Sequence, residues 1–142
     1  MGFLDKVMFW KKENVSIFAA MNLLPMQNRT LFISDTYVNN EPTSQEIAEI
    51  TMMAADEVKR FGLTPKVALL SHSNFGTETS KSATKMSGAL DIIEQLDPSM
   101  EIDGEMHGDA ALNELIRRRA QPDSKLNGEA NLLIMPTVES AN

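Results

Sequence analysis

Lys66-Val67-Ala68-Leu69-Leu70-Ser71-His72-Ser73-Asn74-Phe75-Gly76 opens as an unbroken apolar run and closes in hydroxyls, an imidazole, an amide and a glycine. A short run without alternation is the pattern of a strand covered on both faces, as in parallel sheets flanked by helices. The polar stretch after it, Ser71 to Ser80, then falls at the carboxyl end of the strand, where open α/β sheets receive their ligands. Its side chains and backbone N–H groups suit a phosphate or a carbonyl, and Gly76 allows close approach. The stretch lacks the Gly-Lys-Ser/Thr of a nucleotide P-loop and the three glycines of a dinucleotide fingerprint. An ordinary Ser/Asn/Gly connection that caps a helix is an equal reading on local grounds.

Upstream, Thr43-Ser44-Gln45-Glu46 has the form of a capping box, and Ile47, Ile50, Ala54, Val58 and Phe61 recur at helical spacing before Gly62. This predicts a helix from Thr43 to Phe61. Before it, Val15 to Leu24 and Arg29 to Val38 read as strands around the turn residues Pro25-Met26-Gln27-Asn28, an antiparallel hairpin. Met1 to Lys12 mixes apolar and basic residues and reads either as a short amphipathic helix or as sequence foreign to the domain. Residues 1–14 are therefore set apart as unassigned, and residues 15–142 are read as one domain.

Downstream, a second helix is predicted from Ser82 to Leu96, with Met86, Ala89, Leu90 and Ile93 inward and Asp97-Pro98 closing it. Glu101 to Met106 is a short strand. A third helix starts at Asp109 with Ala110, Ala111, Leu112, Leu115 and Ile116 on its buried side. Arg117-Arg118-Arg119 stands at its C-terminal end, where cations favour the helix dipole, as a solvated terminus rather than an anion clamp. Ala130 to Met135 is the last strand, broken by Pro136. A hairpin followed by strand and helix units joined through crossovers gives an α/β fold with a largely parallel sheet. The loops expected to carry function are Asp35 to Pro42, Ser71 to Ser80, Glu105 to Asp109 and Pro136 to Asn142.

A chain of 142 residues suffices for one core. Its net charge of −7 opposes the counterion release that drives nucleic-acid binding, and no basic stripe stands apart from the acids. The absence of cysteine excludes disulfides, thiolate nucleophiles and zinc-thiolate sites. No apolar stretch reaches the roughly 18 residues of a membrane span, and no secretory signal is apparent, so a cytoplasmic location is expected. Asn14-Val15-Ser16 and Asn28-Arg29-Thr30 are accordingly chance matches to the glycosylation pattern. Met52, Met53 and Met86 fall within apolar patterns and read as core.

Asp103-Gly104-Glu105-Met106-His107-Gly108-Asp109 gathers three carboxylates and an imidazole, and Glu105, His107 and Asp109 would share a face if the strand continued. A metal site there would need further converging ligands. The competing reading has Asp109 capping the third helix, with Glu105 and His107 hydrogen-bonded locally. His72 between Ser71 and Ser73 suggests a serine hydrolase, but adjacent strand residues face opposite ways and no Gly-x-Ser-x-Gly elbow is present. The residues by themselves describe an α/β domain able to bind a small anionic or acyl ligand.

Several segments also resemble the phosphotransacetylase family in the family's own order, from Ile17 to Asn142. Val67 to Gly76 is similar to the family's strand and following Ser-rich loop, in the His-Ser-Asn-Phe-Gly form of the C-terminal domain of bacterial NADP-dependent malic enzymes. Thr30 to Asn39, with Pro42-Thr43 opening the helix, resembles an earlier strand and its Asp-containing turn, with Thr36 where free-standing transacetylases often have cysteine. Ile102 to Leu112 and Pro122 to Pro136 complete the likeness. The resemblance implies a three-layer lobe like that of isocitrate and isopropylmalate dehydrogenases, one side of a cleft for acyl-CoA and a surface for homodimers.

On that basis Asp35, Thr36, Ser71, His72, Ser73, Asn74, Gly76, Glu105 and His107 are the expected ligand-binding residues, with acetyl-CoA or a related acyl-CoA as ligand. No catalytic or metal-binding residue is expected. The family's Asn-Asp-Leu-Ser-Arg-Gly-like catalytic segment would lie beyond Pro136 to Asn142, so the chain is expected not to transfer acetyl groups. NADP and a divalent metal would belong to a malic-enzyme region of the same chain. The resemblance thus implies an acetyl-CoA-sensing, dimerising domain, with a part of a phosphate acetyl- or butyryltransferase as the alternative.

Overall fold

The computed structural model describes residues 6–11, 18–26, 29–35, 42–71, 75 and 81–135. Among these residues lie six strands, β1 (Lys6–Lys11), β2 (Phe18–Met26), β3 (Arg29–Asp35), β4 (Lys66–Leu70), β5 (Glu101–Met106) and β6 (Leu132–Met135). The helices are α1 (Ser44–Arg60), α2 (Lys81–Leu96), α3 (Gly108–Leu112) and α4 (Glu114–Ala120). The strands form one sheet in the order β1-β2-β3-β6-β4-β5. β2 pairs antiparallel with β3 as the expected hairpin, while β3, β6, β4 and β5 run parallel. The N-terminal segment departs from the helical expectation: Lys6–Lys11 pairs antiparallel with β2, from Lys6 opposite Leu23 to Lys11 opposite Phe18. A strand edge offers backbone partners that six residues with an irregular apolar pattern would not find as an isolated helix.

α1 begins as its sequence requires. Thr43 accepts from the Glu46 N–H (3.1 Å) and the Glu46 carboxylate accepts from the Thr43 N–H (2.9 Å), closing the capping box. Gly62, at φ 82°, ends it in the left-handed conformation that glycine adopts without a Cβ penalty. Travel across the sheet runs from β3 through α1 to β4, continues through α2 to β5, and then reverses to insert β6 between β3 and β4. Because crossovers are right-handed, the reversal puts α3 and α4 on the face opposite α1 and α2. Two cores result. Ile47, Ala54, Val58, Met86 and Ile93 pack on Phe32, Val67, Leu69, Ile102, Leu132 and Ile134. Ala110, Ala111 and Leu126 pack on Leu31, Ala68, Leu70, Met106 and Leu133 on the other side. β4 and β6 feed both cores through alternate residues, which is why their sequences are apolar without a break.

The third helix is two. Asn113 leaves the helical region (φ −137°, ψ 110°), and its side chain accepts from the N–H groups of Leu115 (2.9 Å) and Ile116 (3.3 Å), ending α3 and starting α4. A short amide side chain competing for backbone donors breaks what the periodicity alone continues. The inward face is reset: Leu115 is 73% exposed and Ile116 36%, not buried as predicted, and Arg117 is buried instead. Nor does Asp109 cap α3, since His107 occupies the N-cap and Asp109 stands exposed in the first turn.

Arg117 and Arg118 depart furthest from a solvated helix end. The Arg117 guanidinium donates to the carbonyls of Ala110 (3.1 Å), Leu126 (3.3 Å) and Gly128 (2.5 Å). Arg118 donates to those of Pro122 (3.1 Å), Ser124 (2.8 Å) and Leu126 (2.8 Å). The amides of the same crossover go to carboxylates: Lys125 N–H to Asp103 (3.1 Å), Asn127 N–H to Glu101 (2.8 Å) and Gly128 N–H to Glu114 (2.9 Å). Charged side chains thus satisfy a turn that has no regular ladder of its own. Asn131 seats β6 by accepting the Lys66 N–H (2.7 Å) and donating to the Thr64 carbonyl (2.9 Å).

Candidate functional site

Parallel pairing brings the carboxyl ends of four strands to one edge. Asp35 ends β3 opposite Met135 of β6, Leu69 of β4 pairs with Ile134, and Leu70 pairs with Met106 at the end of β5. The four stretches expected from the sequence to carry function include or directly follow Asp35, Leu70, Met106 and Met135. Of the expected site residues, Asp35, Ser71, Glu105 and His107 are placed by the structure, whereas Thr36, His72, Ser73, Asn74 and Gly76 lie outside the described residues, as does the stretch after Met135.

Ser71 and Glu105 meet. β5 carries a register shift: Leu69 opposes Gly104 but Leu70 opposes Met106, so Glu105 is the extra residue of a bulge. Strict alternation from Ile102, which packs with α1 and α2, would put Met106 on that same face; Met106 belongs to the opposite core. The shared face expected for Glu105, His107 and Asp109 does not form, because β5 ends at Met106, His107 is the N-cap of α3 and Asp109 stands in its first turn. Glu105 turns inward to 1% exposure, and its carboxylate accepts the Ser71 hydroxyl hydrogen. Its own carbonyl accepts the Phe75 N–H (2.6 Å), and the Ser71 N–H donates to the Met106 carbonyl (2.9 Å). Phe75 sits at φ 50°, an uncommon conformation for a residue with a Cβ. The described part of the loop after β4 is thus tied to β5 at both ends. His107 is half-buried at the start of α3, and its side chain makes no capping bond.

Sequence reasoning missed two contributors. Asp103 accepts the Gly104 N–H at Oδ1 (2.9 Å) and the Lys125 N–H at Oδ2 (3.1 Å), bracing the strand just before the bulge. Gly104 lets β5 lie against β4, since a Cβ there would come within 2.8 Å of Leu69 Cβ and 2.9 Å of its carbonyl oxygen. Both stand within the Asp103 to Asp109 stretch, but nothing in it marked these roles, because bulges have no composition of their own. Among the described residues, no group of three or more His, Asp or Glu side chains gathers as a metal would require. The Ser71 hydroxyl faces a carboxylate, an arrangement that can hold a loop or orient a hydroxyl toward a bound carbonyl or phosphate.

At the opposite edge, a cavity of about 160 Å³ lies among Lys59, Thr64, Asp97, Ser99 and Glu101. Asp97 is held below the usual carboxylate range there, first by the Ser99 hydroxyl and further by the Ser99 N–H and Lys59. It is smaller than the roughly 300–1,000 Å³ of a typical small-molecule site. The carboxyl edge is the stronger candidate.

Residues 7–142 match the family described as phosphate acetyl/butaryl transferase. The chain belongs to this family. It is 52% identical to an NAD-dependent malic enzyme of Rhizobium meliloti (strain 1021) over 132 residues, 93% of this chain and 17% of that protein. It is also 52% identical to an NADP-dependent malic enzyme of Escherichia coli (strain K12) over 136 residues, 96% of this chain and 18% of that protein. A solved structure, the EutD phosphotransacetylase from Staphylococcus aureus, superposes with a TM-score of 0.82 at 32% identity, covering 92% of this chain and 41% of that one. The chain spans less than a fifth of the malic enzymes it matches. The expected lobe, a largely parallel sheet with an antiparallel N-terminal edge, is that of a phosphotransacetylase.

Proposed function

We propose that the chain is the C-terminal phosphotransacetylase-like domain of a malic enzyme, and that it binds acetyl-CoA as a sensor and dimerises rather than transferring acetyl groups. The observation that carries this reading is the identity of 52% to malic enzymes across nearly the whole chain, against 32% to a phosphotransacetylase. The parent protein would oxidatively decarboxylate malate to pyruvate in the cytoplasm, with its nicotinamide cofactor and divalent metal held by other regions of the same chain. Acetyl-CoA would lie along the carboxyl edge of the sheet beside Ser71 to Thr77. Binding shifts malate turnover only if acetyl-CoA has different affinities for the active and inactive states.

The acetyl-CoA site is supported by the convergence of strand ends and by the fixed Ser71 and Glu105 pair. Dimerisation is supported by Leu115 and Ile116, which α4 leaves in solvent, and would bury more than about 1,000 Å² in total. A monomer at high micromolar concentration in sedimentation runs would contradict it. The second reading, part of a phosphate acetyl- or butyryltransferase, is favoured by the TM-score of 0.82 to a phosphotransacetylase.

Calorimetry of acetyl-CoA on the parent protein and on this chain, with assays of malate oxidation and acetyl phosphate formation, separates the readings. Binding that alters malate turnover without acetyl phosphate supports the sensor. Acetyl phosphate formation supports the transferase, and no binding by either protein leaves a structural lobe. In the parent, Asn74→Ala and Gly76→Val should weaken acetyl-CoA binding more than folding; unchanged affinity would place the site elsewhere.

A further inference from the structure

We propose that Glu105 is a positioning residue, which the bulge in β5 turns toward the end of β4 so that its carboxylate fixes Ser71 and its carbonyl fixes Phe75. Four observations converge on it. Glu105 is the extra residue of the register shift, standing between Gly104 opposite Leu69 and Met106 opposite Leu70. Its carboxylate accepts from the Ser71 hydroxyl, where the loop begins, and its carbonyl accepts from the Phe75 N–H (2.6 Å), four residues on. The strand beneath it is pinned on both sides. Gly104 lies in contact with Leu69, and Asp103 is held to the crossover through the Lys125 N–H (3.1 Å). That crossover is in turn gripped by Arg117 and Arg118.

A residue so buried reaches a ligand through what it holds, and what it holds is the start of the proposed acetyl-CoA loop. The mechanism makes a distinction between charge and hydrogen-bond acceptance. Gln in place of Glu105 keeps an acceptor for the Ser71 hydroxyl, whereas Ala removes it. The ligand arm of the test rests on the acetyl-CoA reading above; the loop arm does not.

The experiment is hydrogen exchange of the parent protein and its Glu105→Gln, Glu105→Ala and Ser71→Ala variants, with acetyl-CoA calorimetry on the same samples. Loss of a buried bond to a carboxylate should speed exchange of the Phe75 amide about tenfold or more in Glu105→Ala and Ser71→Ala, leaving the Leu133 and Ile134 amides of β6 unchanged. Glu105→Gln should stay within about twofold of wild type, and acetyl-CoA affinity should follow the same order. Should Glu105→Ala unfold, Ser71→Ala carries the test. An unchanged Phe75 amide overturns the proposal, as does acceleration shared equally by β6. Lost binding in Glu105→Gln with an unaltered loop overturns it too, by making the charge a ligand contact. If wild type binds no acetyl-CoA, that reading fails, and the exchange result alone decides the role of Glu105.

Discussion

Arg117, with its side chain fully buried, donates through Nη2 to the carbonyl oxygen of Gly128 at 2.5 Å and so closes the crossover between β5 and β6 onto α4. The same guanidinium also serves Ala110 and Leu126, while Glu114 stands 3.8 Å away. Its Nε has no hydrogen-bond partner among the described residues. Burial pushes the guanidinium pKa down, against the pull of Glu114.

Arg117→Met should therefore cost about 2–4 kcal/mol even though the volume is kept, because the buried Ala110 and part-buried Gly128 carbonyls lose their charged donor, while Leu126 keeps Arg118. Arg117→Lys should recover only part of this, since a single ammonium cannot spread over the three acceptors that the planar fork spans. Urea unfolding of the three proteins measures both.

Glu114 is held below the usual carboxylate range, first by the Gly128 N–H and further by Arg118 and Arg117. A depressed folded value means that its contribution to stability is present above its ordinary pKa of 4.5 and is lost as pH falls through the lower folded value. Glu114→Gln should thus be less stable than wild type at neutral pH, with the gap closing as pH drops below 4.5. Urea midpoints between neutral and strongly acidic pH should show the two curves converging.

Gly104→Ala would place a methyl group 2.8 Å from Leu69 Cβ and 2.9 Å from its carbonyl oxygen. Backbone cannot yield as a flexible side chain does, so β5 must draw away from β4 at a cost of about 2–3 kcal/mol. The same shift would displace Glu105 from Ser71. Thermal unfolding and exchange of the Ser71 amide, which donates to the Met106 carbonyl, should change together.

At the ends of α1 the effects should be smaller and independent. Thr43→Ala loses one half of the capping box and should cost about 1 kcal/mol. Gly62→Ala meets no atom within 4 Å yet must adopt φ 82°, which costs about 1–2 kcal/mol. The sites are separated by the length of the helix, so the double variant should be additive in denaturant unfolding.

The sequence by itself determined the parts whose signals are local. The apolar run of β4 required a strand buried on both faces; Thr43, Glu46 and Gly62 placed the ends of α1; and the order of strands and helices required crossovers and so a largely parallel sheet. Its motifs also carried the family, and the convergence of the strand ends at the carboxyl edge followed from the crossovers. Tertiary structure alone decided the rest, because each of those features depends on a partner distant along the chain. Lys6–Lys11 became a strand because β2 offered an edge. Asn113 divided the third helix, exposing Leu115 and burying Arg117, whose charge is tolerated because carbonyls of α3 and of the later crossover surround it. Glu105 met Ser71 because Gly104 let β5 press against β4 at a bulge, where one extra residue reverses the alternation on which any reading of strand faces depends.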